Sequence, residues 1–275
     1  MLNPDLKIAF VGGGNMAEAI LSGLLLSGHS PRNLLVCAPS STTRERMANK
    51  HQVRVSRNNV QAVLFADVVI IAVKPNKVTS VCEELRSEMD DIQKDPLIIS
   101  VAAGVSWQLI SESLGGRRRV VCAMPNLPTA LCRGVTGLFS DPCVPEAQIA
   151  QANSVMRTIG KTVWVEEESQ MPAIVATAGS APAYFFLFME AMEAEAIAQG
   201  LPRHIATDTV IQSALGAISM ASQSEDSLAT LRERVTSPKG TTEQAVNRLK
   251  EGKLEEIVAK AMRSAAFRTN ELYAN

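Results

Sequence analysis

Short β-branched runs alternating with helix-like stretches are the feature of this 275-residue chain that most limits its fold. The runs KIAFVG (7–12), NLLVCA (33–38), DVVIIAV (67–73), PLIISVA (96–102) and RRVVCAM (118–124) are apolar almost throughout, not at every second position. Strands of that kind are dry on both faces, and crossover helices between parallel strands are what dries them. GVTGLFS (134–140) and KTVWVEE (161–167) read as two more strands, with a helix from about Pro145 to Ile159 between them. After the acidic stretch 166–168 the pattern changes, and no strand-like run follows. The sequence therefore predicts an α/β chain: a parallel-sheet domain over 1–166, then an all-helical domain over 167–275.

The helical part has its own signature. AYFFLFMEAMEAEAIAQGLP (183–202) is apolar on nearly every side at first and stops at Gly200 and Pro202. A helix apolar all round must be buried, and a domain of this size covers one face of it at best, so a second copy is expected on the other. Ala206, Val210, Ala214, Ala217 and Ala221 keep helical spacing, as do Leu254, Ile257, Ala261, Ala265 and Leu272.

Charge narrows the function. Lys and Arg total 27 against 28 Asp and Glu, with no basic block, so neither nucleic acid nor a membrane surface is an expected partner. The five cysteines are scattered and never spaced C-x-x-C, which reads as buried thiols in a reducing cytoplasm, not a disulfide framework or a zinc site. His29, His51 and His204 have no ligand spacing and fall away from the motifs below, so structural or solvated roles are expected and no metal.

VGGGNMA supplies Gly12-x-Gly14-x-x-Ala17 directly after one expected strand and at the start of a helix that Asn15 and Met16 open. The first glycine permits a tight turn, the second lets backbone approach a pyrophosphate, and the small third residue allows close helix–strand packing. This is a Rossmann-type dinucleotide fingerprint in its proper context. After the second strand, where an NAD site usually carries an acid for the ribose, the chain reads CAPSSTTRER. Ser40 and Arg44, with Arg46 beyond, suit a 2′-phosphate, so NADPH is expected over NADH. Ala72, Val73, Lys74 and Pro75 close another strand, and Asn126 in MPNLP follows a further one. Carboxyl ends of parallel strands border the ligand crevice, which places these residues near the nicotinamide.

In order, VGGGNMA, AVKP (72–75), MPNLP (124–128), GSAPAY (179–184) and RVTSPKGTTEQAV (234–246) resemble the pyrroline-5-carboxylate reductases over nearly the whole chain. The last motif is the most specific of them. The resemblance implies NAD(P)H-dependent reduction of 1-pyrroline-5-carboxylate to L-proline, by a Rossmann domain and a helical domain that dimerises, giving a homodimer or a multiple of dimers. It also puts Asn59 on the adenosine side, Ser237 on the substrate carboxylate and Thr242 at the ring nitrogen as the catalytic group. Thr241 with Gln244 three residues later forms a capping box, which leaves the N–H groups of Gly240, Thr241 and Thr242 at a helix amino end suited to a small anion. The family commonly has glycine at the positions of Lys239 and Ala181; a positive φ at Lys239 would be strained.

Two other readings stay open on the sequence. A β-hydroxyacid dehydrogenase shares the architecture but looks to a lysine on the first long helix of the helical domain, and residues 179–199 hold no lysine or arginine. A catalytically silent NADPH-binding protein needs no hydroxyl-rich turn.

Overall fold

The computed structural model describes residues 2–92, 95–116 and 118–273; the first residue and the last two of the expected domains lie outside these. The chain forms two compact units, Met1–Ser180 with Ala265–Asn275, and Ala181–Ser264.

The first unit is built on eight strands: β1 Ile8–Val11, β2 Leu34–Cys37, β3 Arg54–Ser56, β4 Val68–Ile71, β5 Leu97–Ser100, β6 Val120–Met124, β7 Gly134–Ser140 and β8 Gly160–Trp164. They form one sheet in the order β3-β2-β1-β4-β5-β6-β7-β8. Helices α1 Asn15–Leu26, α2 Ser41–His51, α3 Val60–Phe65, α4 Val78–Ile92, α5 Trp107–Ser113, α6 Glu146–Met156 and α7 Met171–Ile174 connect and cover it. β1, β2, β4 and β5 are buried at every residue. Alternation decides which face each side chain serves: Ile8 and Phe10 enter a core with Ile20 and Leu24 of α1, while Ala9 and Val11 enter one with Val78 and Leu85 of α4.

Three details depart from the sequence reading. The short strand β3 was not expected, because Val55 alone is apolar between Arg54 and Ser56; pairing with β2 makes it a strand. The sheet is not wholly parallel, since β7 runs antiparallel to β6 while every other neighbouring pair is parallel. Only the short 3-10 turn Leu127–Leu131 stands between β6 and β7, and a short connection can only join antiparallel neighbours. Residues 167–180, expected with the helical part, pack with the sheet unit: Met171 is fully buried, and Ile174 lies against Gly137 of β7, where a Cβ would stand 2.4 Å from it.

Beyond β8 no strand occurs among the described residues. Helices α8 Ala181–Ala198, α9 Arg203–Gln223, α10 Leu228–Arg234 and α11 Thr241–Glu251 belong to the second unit; α12 Leu254–Tyr273 begins there, and its last turns, from Ala265, belong to the first. α8 ends as its glycine foretells. Gly200, at φ +100°, lets the Leu201 N–H reach back to Ala196 O, and Pro202 then caps α9. Ala206 and Val210 of α9 are buried, yet no residue of α8 is, and Phe185, Phe186, Leu187 and Phe188 are 46% to 67% exposed. Among the described residues one helical run, Glu168–Ala198, is long and apolar enough by length and composition to cross a membrane, a test that buried and interface helices also pass.

Candidate active site

The chain leaves β1 toward β2 and β3 on one side and returns to β4 on the other, so the carboxyl ends of β1 and β4 flank a topological switch point. Gly12 and Ala72 sit at those two ends. Gly12 has φ +105°, donates its N–H to Cys37 O at 2.8 Å, and carries no Cβ because one would stand 2.3 Å from Ala72 O. Gly13 is pressed against α2, where a Cβ would lie 2.6 Å from the Thr43 methyl carbon. Gly14 differs from both: a Cβ there would meet nothing within 4 Å. It is the N-cap of α1, in extended conformation and without a side-chain capping bond. The N–H groups of Asn15, Met16 and Ala17 thus open a helix beside free space, and Ala17 is small enough to be buried against the sheet. Met16 is fixed by the Thr129 hydroxyl, which donates to its sulfur at 3.7 Å. Open space at a bare helix amino end fits a dinucleotide pyrophosphate.

At the end of β2, Ser40 caps α2, its hydroxyl accepting the Thr43 N–H at 3.4 Å. Arg44 Nη1 donates to Ala38 O at 2.7 Å and Pro39 O at 2.8 Å, which leaves Nε and Nη2 without a partner among the described residues. Arg46 turns the other way: Nη1 donates to Glu18 Oε2 at 2.5 Å and Nη2 to Gly13 O at 2.9 Å. Lys50 Nζ donates to Glu18 Oε1 at 2.8 Å, and His51 Nε2 lies 3.2 Å from that oxygen. The Lys50 hydrogen bond, more than any other neighbour, holds the Glu18 carboxyl below its ordinary range, against a burial that works the other way.

Asn59 precedes α3 and donates its amide to Glu84 Oε2 at 2.8 Å. After β4, Val73 is half-buried and Lys74 is exposed at the head of the short turn Pro75–Lys77. Asn126 is buried, and its amide is engaged at both ends: Nδ2 donates to Ala178 O at 2.9 Å, and Oδ1 accepts the Val135 N–H at 2.9 Å.

The hydroxyl-rich turn lies in the second unit. The Gly240 N–H donates to Ser237 O at 3.0 Å, Lys239 stands at φ +60°, and its N–H donates to Glu243 Oε2 at 2.8 Å. The N-cap of α11 is Gly240, in extended conformation with no side-chain bond, so the capping box expected from Thr241 and Gln244 does not form. The left-handed Lys239 moves the helix start one residue earlier, and Thr241 and Thr242 become the first two helical residues. Their N–H groups lie in the first turn, where no preceding carbonyl is in register. The Gly240 N–H, expected among the free donors, is already engaged by Ser237 O. Ser237, Thr241 and Thr242 are exposed.

Other titratable groups sort by burial. His29 is buried with Nε2 2.9 Å from Leu6 O, and burial draws its imidazole below the ordinary value; His204 is exposed on α9. His51, expected away from the motifs, joins the Glu18 cluster beside the glycine loop; Arg46 and Lys50, one helical turn apart, were the available signal. All five cysteines are free; Cys37, Cys82 and Cys122 are buried, whereas Cys132 is half-buried and Cys143 exposed, contrary to the expectation of five buried thiols. Burial pushes Cys37 and Cys82 up to about 12. Glu168 Oε1 accepts the Trp107 N–H at 2.9 Å and lies 3.9 Å from Cys122 Sγ, and burial raises its carboxyl above the usual range. Among the described residues no three His, Cys, Asp or Glu side chains gather as metal ligands do.

Comparison with known proteins bears on the two halves separately and together. A family model for pyrroline-5-carboxylate reductase dimerisation matches residues 168–272, and one for NADP oxidoreductase, coenzyme F420-dependent, matches 7–104. The pyrroline-5-carboxylate reductase of Vibrio alginolyticus is 45% identical over 97% of each chain. The solved pyrroline-5-carboxylate reductase of Coxiella burnetii superposes with a TM-score of 0.93 at 42% identity, covering 98% of each. That of Plasmodium falciparum, solved with NADP bound, gives 0.84 at 23% identity over 98% of this chain and 99% of its own, a likeness of fold.

Proposed function

The chain belongs to the pyrroline-5-carboxylate reductase family and reduces 1-pyrroline-5-carboxylate to proline; we propose that it takes NADPH in preference to NADH and holds its substrate on the turn 237–242. Residues 1–166 carry the cofactor; residues 167–275 carry the substrate and join two copies. Gly12, Gly14 and the amino end of α1, with Asn15, Met16 and Ala17, take the pyrophosphate. Ser40 and the two unengaged nitrogens of Arg44 take the 2′-phosphate. Asn59 lies on the adenosine side, and Ala72, Val73, Lys74, Pro75 and Asn126 border the nicotinamide. Bound there, the reduced nicotinamide supplies a hydride.

The observation that carries the substrate assignment is the bare start of α11, where the N–H groups of Thr241 and Thr242 are unspent and exposed hydroxyls of Ser237 and Thr242 stand nearby. A protonated cyclic imine is already an electrophile and its reduction yields an amine, so positioning carries the burden and no strong base is required. What must be held is the carboxylate. The helix dipole, these N–H groups and the Ser237 hydroxyl suit that anion. The Thr242 hydroxyl orients the ring nitrogen.

The chain is a homo-oligomer by its dimerisation module, here a homodimer or a multiple of dimers. Five free cysteines accord with the reducing cytoplasm as its compartment. Initial rates with pyrroline-5-carboxylate and either cofactor test the preference: kcat/KM is higher with NADPH, and equal values refute it. Because no hydroxyl of the turn caps α11, Thr242→Ala leaves the melting temperature and cofactor affinity unchanged and lowers kcat/KM for the imine about tenfold or more. Ser237→Ala acts mainly through KM. Full kcat/KM in both variants refutes the substrate assignment.

A further inference from the structure

We infer that Arg46 is a positioning residue that aims the Gly14 N–H at the cofactor's pyrophosphate, with Glu18 holding Arg46 in place. The inference rests on the cofactor site proposed above. Its geometry starts from one peptide plane. In a trans peptide the carbonyl of one residue and the N–H of the next point in opposite directions. Arg46 Nη2 binds Gly13 O at 2.9 Å and so draws that carbonyl toward α2. The Gly14 N–H, on the same plane, must then point away from α2. Thr43 packs on Gly13 from the same helix, while the space around Gly14 is open. The loop's free donor is thereby turned out, beside the N–H groups that open α1.

The guanidinium is not left to find this pose by itself. Glu18, in the first turn of α1, takes Arg46 Nη1 at 2.5 Å, so the arginine bridges α1 and the glycine loop through its two terminal nitrogens. Glu18 is mostly shielded from solvent, and a lone carboxylate so near a phosphate site would repel the ligand. Arg46, Lys50 and His51 surround it instead, which removes that penalty. The two arginines of α2 thus divide the work. Arg44 grips the carbonyls of residues 38 and 39 and faces the group that distinguishes NADPH from NADH. Arg46 grips Gly13 and acts on what the two cofactors share.

That division is the test. The wild-type protein is titrated with NADPH and with NADH by cofactor fluorescence, and KM and kcat are measured for both in the wild type, Arg46→Ala, Arg46→Lys, Glu18→Gln and Arg44→Ala. Arg46→Ala is expected to raise KM and Kd by the same factor, about five- to tenfold, for both cofactors with kcat held within about twofold, as loss of one hydrogen bond that orients a donor predicts. Arg46→Lys, which keeps the charge but has a single donor group for two acceptors, recovers part of the loss, and Glu18→Gln shows a smaller loss of the same kind. Arg44→Ala weakens NADPH alone. An Arg46→Ala protein with lowered melting temperature but unchanged Kd for both cofactors overturns the inference, and so does a loss confined to NADPH. If Arg46→Ala does not fold, Arg46→Lys and Glu18→Gln decide by the same equal-loss criterion. Failure of the wild type to bind either cofactor refutes the cofactor site itself and is distinct from both.

Discussion

Lys239, like Gln52, Cys132 and Lys253 among the described residues, carries a backbone conformation its side chain disfavours, and it alone of these lies in the turn before α11. A non-glycine residue at φ +60° places Cβ against the following carbonyl, at a cost of about 1–2 kcal/mol. Glycine there removes the clash and returns about 0.5–1 kcal/mol in backbone entropy. Lys239→Gly is therefore expected to stabilise the chain by roughly 0.5–1 kcal/mol, read as a higher urea midpoint at unchanged m. The Lys239 N–H bond to Glu243 survives the change, because it uses backbone. A lower midpoint would mean that the side chain, exposed as it is, contributes something its contacts do not display.

Two carboxylates with opposite shifts tie helices to the sheet unit, and pH separates them. Glu168 receives the N–H of Trp107, the first residue of α5, but burial raises its pKa above the ordinary 4.5. Below 4.5 both folded and unfolded forms are protonated and the shift contributes nothing. As pH rises past 4.5 the unfolded chain ionises first, so stability falls until pH passes the raised folded value and then stays low. Glu168→Gln keeps an oxygen for Trp107 and removes the titration. It should match the wild type near pH 4 and exceed it increasingly toward neutrality, measured as urea midpoints against pH. Glu18 behaves in the opposite sense: its pKa is lowered, so its contribution is present above 4.5 and lost as pH falls through the folded value. Glu18→Gln should accordingly be less stable than wild type at neutral pH, the gap closing in acid. Parallel pH curves for either variant and the wild type contradict the corresponding assignment.

For the whole molecule the decisive surface is α8 and α9. Four consecutive large apolar side chains, 185–188, stand exposed, with Ile211, Leu215 and Ile218 on α9, and removing each from water contributes about 1.5–3 kcal/mol. On a chain matched by a dimerisation module, a patch of that kind is where we expect a second copy to pack. The protein is expected to sediment as a dimer or a multiple of dimers in detergent-free buffer, with a melting temperature that rises with protomer concentration. Phe186→Glu with Leu215→Glu should dissociate or precipitate it. A stable, active wild-type monomer at nanomolar concentration would refute the assignment.

The order of elements, the change from sheet to helix, the glycine fingerprint and the helix stop at Gly200 were legible in the sequence because each depends on residues within a turn or a strand of one another. Continuous apolar runs announce doubly covered strands, and a glycine permits the positive φ that the turns at Gly12 and Gly200 use. Tertiary structure decided what local pattern leaves free. β3 exists only through its pairing with β2, and β7 runs antiparallel because its link to β6 is too short for a crossover. Arg44 and Arg46 look alike in CAPSSTTRER, yet one binds the loop it follows and the other a glycine carbonyl 33 residues away. His51 and Glu18 meet across the same gap. In the turn before α11 the sequence supplied the hydroxyls and the helix, but the cap fell on Gly240 and not Thr241, because Lys239 adopts a left-handed backbone that propensity alone assigns to glycine. Side chains distant in sequence meet only when the sheet order and helix packing bring them together, and that is information no window of residues contains.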